Sequence, residues 1–118
     1  MLEAYKVPVT EGDQTRAGLA LHLVAASTGV SIRELGDQGR LGMAALRARR
    51  LAMYLAHVGY GWTLERVAHA FGMNRATAAK ACTWAENQRE QPALDALLET
   101  LEGCLRAIMN DGRPELTA

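Results

Sequence analysis

Five side chains in one short stretch, Asn74, Arg75, Thr77, Lys80 and Thr83, have the chemistry to grip or read a polyanion. An arginine can meet a guanine edge with two parallel hydrogen bonds. Asparagine, threonine and lysine reach base edges or phosphate oxygens. A second basic set, Arg47, Arg49 and Arg50, lies upstream. Other chemistry is poorly supplied. Cys82 and Cys104 are too few for a disulfide framework and read as small buried apolar residues. His22, His57 and His69 are scattered, so no zinc ligand set forms by spacing, and no metal or cofactor is expected. His69 follows Glu65 by four residues, which reads as an exposed helix pair. No Ser-His-Asp order, paired carboxylates or glycine-rich phosphate cradle stands out, and the expectation is a protein that is not an enzyme. Trp62 and Trp84 read as packing anchors rather than base-stacking residues.

The charge is unevenly spread. Thirteen basic and thirteen acidic residues give the 118-residue chain no net charge. Yet residues 39–91 hold eight basic and three acidic groups, while residues 1–38 hold three and five, and residues 92–118 two and five. A basic middle between acidic ends points to a localised footprint on a polyanion. No apolar run reaches membrane-spanning length, and the first residues lack the pattern of a secretory signal. A reducing cytoplasm, with the protein associated with the nucleoid, is the expected setting.

Alanine and leucine dominate and β-branched residues are sparse, which favours helices. Residues 1–14 lack periodicity and read as a flexible arm. A first helix runs from Thr15 to about Ser27, with Gly29 as its C-terminal cap. Ser31-Ile32-Arg33-Glu34 is a capping box that opens a short helix ending near Gly36. Residues 36–42 read as a loop. Residues 44–58 form the most apolar helix, broken by Gly59-Tyr60-Gly61. Thr63 caps a helix whose stripe is Leu64, Val67, Ala68 and Phe71, and Gly72 ends it. Asn74 caps the next, which runs to about Arg89. Pro92 takes a favoured first-turn position in the last, which ends near Asn110, with residues 111–118 as a tail. The expected architecture is all-α, five to six helices around a helix-turn-helix, in one domain over residues 15–110.

The segment from Thr63 to Glu86 has the layout of that motif. Ala68 is small enough for two helices to cross closely. Gly72 supplies the positive φ of a tight turn, and Met73 plugs the turn from beneath. On a helical wheel Ala78, Ala81, Cys82 and Ala85 share one side, and Arg75, Ala76, Ala79, Lys80 and Thr83 the other. The outer side is slim and basic, as a helix entering the major groove should be.

Ala48-Arg49-Arg50-Leu51-Ala52-Met53-Tyr54-Leu55-Ala56 resembles a segment of the C-terminal DNA-binding domain (domain IV) of the bacterial replication initiator DnaA. Leu23-Val24-Ala25, Gly29-Val30-Ser31 and Leu35 are similar to the lead-in of that domain. Leu64, Ala70-Phe71-Gly72, Thr77, Ala81-Cys82 and Glu86 are similar to its helix-turn-helix. The resemblance covers about residues 18–106. It implies that Arg49 enters a minor groove and that Thr77 belongs to a recognition helix. Where the family reads Gly-Arg-Asp-His-Thr-Thr, this chain has Gly72-Met73-Asn74-Arg75-Ala76-Thr77. The family's aspartate and histidine are thus replaced by Asn74 and Arg75, which implies a different base preference. The chain has no Gly-x-x-x-x-Gly-Lys-Ser/Thr phosphate loop, so it does not power origin opening itself. A similar domain occurs in activators of phage-like gene-transfer-agent clusters of alphaproteobacteria, beside a sigma-factor-like part.

The expected function is therefore sequence-specific binding of double-stranded DNA by a transcription regulator, an activator acting with a partner. The partner is a sigma-factor-like protein, RNA polymerase or a second copy, and no membrane is involved. Leu94, Leu98, Leu101 and Leu105 on the last helix form the candidate partner-docking stripe, although the same stripe suits packing onto the domain's own core. Two alternatives stay open: a regulator of chromosome replication binding near an origin, and a helical protein-interaction module without DNA binding.

Overall fold

The computed structural model describes residues 10–35, 42–110 and Leu116. Among these residues every regular element is a helix: α1 (Glu11–Thr28), α2 (Ile32–Leu35), α3 (Met43–Gly59), α4 (Leu64–Ala70), α5 (Arg75–Gln88) and α6 (Pro92–Asn110). The fold is all-α, and the six helices of the described residues fall within the five to six expected. The segment 36–41, most of the expected loop, lies outside the described residues, as do residues 111–115, 117 and 118 of the tail.

α1 starts earlier than its apolar periodicity suggests. The Thr10 hydroxyl accepts from the Asp13 backbone N–H at 3.0 Å, and Glu11 and Asp13 in the first turn suit the helix dipole. Arg66 of α4 then grips the Asp13 carboxylate at both oxygens, Nε to Oδ2 at 3.0 Å and Nη2 to Oδ1 at 2.7 Å. Residues 11–14 therefore belong to a docked helix rather than to a flexible arm, and residues 1–9 of that arm lie outside the described residues. At the other end Gly29 has φ 78° and donates its N–H to Ala25 O at 2.9 Å, the cap expected there.

α3 is the hub. It touches every other helix, and Leu51, Ala52, Met53, Tyr54, Leu55 and Ala56 are buried in succession, so no face of its middle turns is left to solvent. Val24 of α1, Leu35 of α2, Val67 of α4 and Leu98 and Leu105 of α6 complete the core. Fully burying one such side chain stabilises the fold by about 1.5–3 kcal/mol. Gly59 closes α3 rather than breaking it. A Cβ there would lie 3.0 Å from Leu105 Cδ1 and 3.1 Å from Leu105 Cβ, so the missing side chain is what admits α6.

The leucine stripe of α6 faces inward. Leu98 and Leu105 are fully buried, Leu101 nearly so, and Leu94 is half-buried against the same core. The expected partner-docking role of Leu94, Leu98, Leu101 and Leu105 is corrected on this ground: their apolar surface is already covered by α3 and its neighbours. Ile108, the last residue of the stripe, is exposed together with Met109. Cys104 is exposed as well, against the expectation of burial, because it lies on the side of α6 turned away from the core.

An ion cluster that the sequence patterns did not announce joins α3, α5 and α6. Arg89, just past the end of α5, donates Nε to Asp95 at 2.6 Å, Nη2 to Glu99 at 3.1 Å, and Nη1 to Glu102 and to the Tyr54 hydroxyl. Tyr54 in turn donates to Glu86 at 2.6 Å, and Arg106 reaches Glu102 at 3.2 Å. The Glu102 hydrogen bond leads the set that pushes the Arg89 pKa upward. Burial, then the Glu86 hydrogen bond, pushes the Tyr54 hydroxyl up to about 12.

Candidate nucleic-acid interface

α4, a short turn and α5 form one hairpin, and each local signal in it has a geometric counterpart. Thr63 accepts from the Arg66 N–H at 3.2 Å and caps α4. Gly72 has φ 70°, its N–H reaches His69 O at 3.2 Å, and the Met73 N–H reaches Ala68 O at 2.7 Å. These two bonds are the Schellman closure, which satisfies the last carbonyls of α4 and turns the chain sharply. Met73 is half-buried against the core, as the plug of the turn requires. The Asn74 side chain then accepts from the Thr77 N–H at 2.8 Å and starts α5.

α5 packs on α3 and α4 through Ala78, Ala81 and Ala85, all buried. Cys82 is half-buried beside them, and burial pushes its thiol up to about 11. The opposite line, Ala76, Lys80, Thr83 and Asn87, is exposed along its length. Arg75 and Thr77 flank it at the N-terminal end.

The α3 arginines meet this hairpin from one side. Arg49 is half-buried in a depression of about 380 Å³ that it lines with Leu35, His69, Phe71 and Gly72, beside the turn. Arg50 places its Cζ 5.5 Å from the ring centroid of Trp84 on α5. Arg47 is exposed one turn earlier. Adjacent residues of α3 thus reach the turn before α5 and the C-terminal half of α5. Trp84 is half-buried under Arg50 and Trp62 is buried beneath the Arg66 guanidinium, so both tryptophans pack, as expected.

Three features bound this basic face. Arg75 is exposed but not isolated, since its Nε donates to Glu65 Oε1 at 2.6 Å across the turn. The Glu65 carboxyl is held below the usual carboxylate range, first by its own backbone N–H and then, against slight desolvation, by Arg75 and His69. Glu86 and Glu90 are exposed at the far end of α5, so the basic character belongs to its N-terminal half. On the flank away from Trp84, Tyr54, His57, Leu64, Cys82 and Glu86 line an open groove of about 440 Å³. His57 Nδ1 lies 2.7 Å from Trp62 O there.

All eight side chains expected to contact DNA fall on α3, α5 or the α5 cap, and the two helices pack directly together. Sequence reasoning missed Glu65 as the partner of Arg75, because ten residues and a turn separate them and no spacing rule covers such a pair. Among the described residues, no three His, Cys, Asp or Glu side chains gather where a metal ion could be held, and no helix is long and apolar enough to cross a membrane. No protein-family model, curated protein or solved structure matches the chain.

Proposed function

We propose that the chain binds duplex DNA sequence-specifically through α5 and regulates transcription, as an activator of phage-like or gene-transfer-agent genes working with a partner protein. The observation that carries this is the uncovered outer line of α5. Ala76 and Lys80 are exposed in the N-terminal half of the helix, which holds no acidic residue, and Thr83 is exposed further along. A major groove about 12 Å wide admits a helix with such a face. Arg47, Arg49 and Arg50 then serve the flanking backbone or minor groove, and Asn74, Thr77 and Thr83 supply neutral hydrogen-bonding groups.

The resemblance to the DnaA C-terminal domain supports the same use of α5, and the changed segment after Gly72 supports a different operator. One small basic module gives limited specificity, which motivates a second DNA-contacting chain, a sigma-factor-like protein or RNA polymerase beside it. The activity belongs on the nucleoid.

The test is selection of bound duplexes from a randomised pool, with wild type beside an Arg75→Ala, Lys80→Ala double variant at two salt concentrations. An enriched motif that the double variant loses is the expected result, and its genomic matches should fall at promoters. No enrichment by wild type, alone or with RNA polymerase, would overturn the proposal. Matches confined to a replication origin would overturn its transcriptional part.

A further inference from the structure

The Arg75–Glu65 pair has no evident task in holding the fold. Its side chains are 64% and 40% exposed, and exposed pairs of this kind contribute little stability. It also sits where a cation is locally unwelcome. Arg75 is the first residue of α5, whose first turn has no acidic residue, and the helix dipole disfavours positive charge at that end. Natural sequences tend to break such local rules at functional positions.

We infer that Glu65 is a positioning residue that aims Arg75 at a guanine, so that the preferred duplex presents a guanine edge to the N-terminus of α5. This rests on the DNA-binding reading and adds the base and the residue that selects it. A guanidinium has two hydrogen-bonding edges. Glu65 engages Nε, on the side edge, at 2.6 Å. The end edge, Nη1 and Nη2, matches the O6 and N7 acceptors of guanine. A long side chain tethered at Nε has fewer rotamers to lose when it meets a base. The charges favour a base over a phosphate. Arg75 and Glu65 together are neutral, so the pair releases few counterions at a phosphate, and the carboxylate repels one. Guanine offers two neutral acceptors and brings no such repulsion.

The experiment measures, by competition at each position of the motif that wild type selects, the discrimination shown by wild type, Arg75→Ala and Glu65→Gln, after circular dichroism has shown all three folded. Wild type should prefer guanine at one position by about 10- to 100-fold. Arg75→Ala should flatten that position and leave the others. Glu65→Gln should keep or raise total affinity and steepen the salt dependence by about one phosphate, because Arg75 is released to the backbone, while discrimination at that position falls several-fold. Unchanged discrimination in Glu65→Gln would overturn the inference. So would an Arg75→Ala variant that weakens every sequence equally and reduces the salt slope by about one. In both cases the wild-type motif survives, and with it the DNA-binding reading. A wild type that selects no motif removes both.

Discussion

Two arginines show how little a residue's type says about its use. Arg66 and Arg89 both belong to the basic middle of the sequence, yet each is spent on carboxylates within the chain. Arg66 holds Asp13 by two parallel hydrogen bonds and stacks 4.5 Å over the Trp62 ring, fastening α1 to α4. The hydrogen bond from Arg66, foremost, holds the Asp13 carboxyl below its usual 3.8 despite burial. A carboxyl lowered on folding contributes stability that is present above its unfolded pKa and lost as pH falls through the folded one. Asp13→Asn should therefore cost about 1–2 kcal/mol at neutral pH, a figure kept low because Arg66 is partly exposed. The gap between variant and wild type should narrow as pH drops below about 4. Urea unfolding at pH 7, 5 and 3 measures it, and a gap that stays constant across that range would show that the ion pair contributes nothing.

Helices and turns were the most legible part of the sequence because their signals are local. Thr63, Gly72 and Asn74 announced the hairpin, and the alanine side of α5 announced its packing face. The pairs Asp13–Arg66, Arg75–Glu65 and Arg89–Glu102 were not legible, since each closes only after distant elements have docked. The leucine stripe of α6 was ambiguous for a physical reason: an amphipathic helix carries the same stripe whether it covers its own core or a partner. Gly59 removes the ambiguity, though in sequence it looks like a helix break. Replacing helical glycine by alanine gains up to about 1 kcal/mol in propensity, whereas overpacking a core contact costs about 1–3 kcal/mol. At Gly59 the new Cβ meets Leu105 at 3.0 Å, so overpacking wins and Gly59→Ala should lower the unfolding temperature. At Gly18 of α1 and Gly103 of α6 nothing lies within 4 Å of the new Cβ, so alanine should raise it. Thermal unfolding of the three variants checks the opposed signs. A destabilised Gly18→Ala together with a neutral Gly59→Ala would contradict the packing of α6 on α3.

Over the chain as a whole, equal numbers of positive and negative side chains conceal a sorted surface. Within the described residues, the acidic groups of α6 turn toward Arg89 and Arg106, and Asp13 is taken by Arg66. Arg47, Arg49, Arg50 and Lys80 lie on α3 and α5, and Arg75 at the start of α5 is paired with Glu65. If that group forms the DNA-binding face, salt dependence should count it rather than the net charge. Each phosphate neutralised contributes about −0.9 to the slope of log affinity against log salt. Four such contacts, from Arg47, Arg49, Arg50 and Lys80, give a slope of about −4, whereas a chain of zero net charge treated as a uniform sphere would show almost none. Lys80→Ala should flatten the slope by about one unit. Arg106→Ala removes the same charge from the acidic side and should leave it unchanged. Fluorescence anisotropy with a short duplex, titrated between 50 and about 300 mM salt, separates the two. Equal effects from the two substitutions would mean that the protein meets DNA by overall charge alone, and α5 would lose its place as the contacting helix.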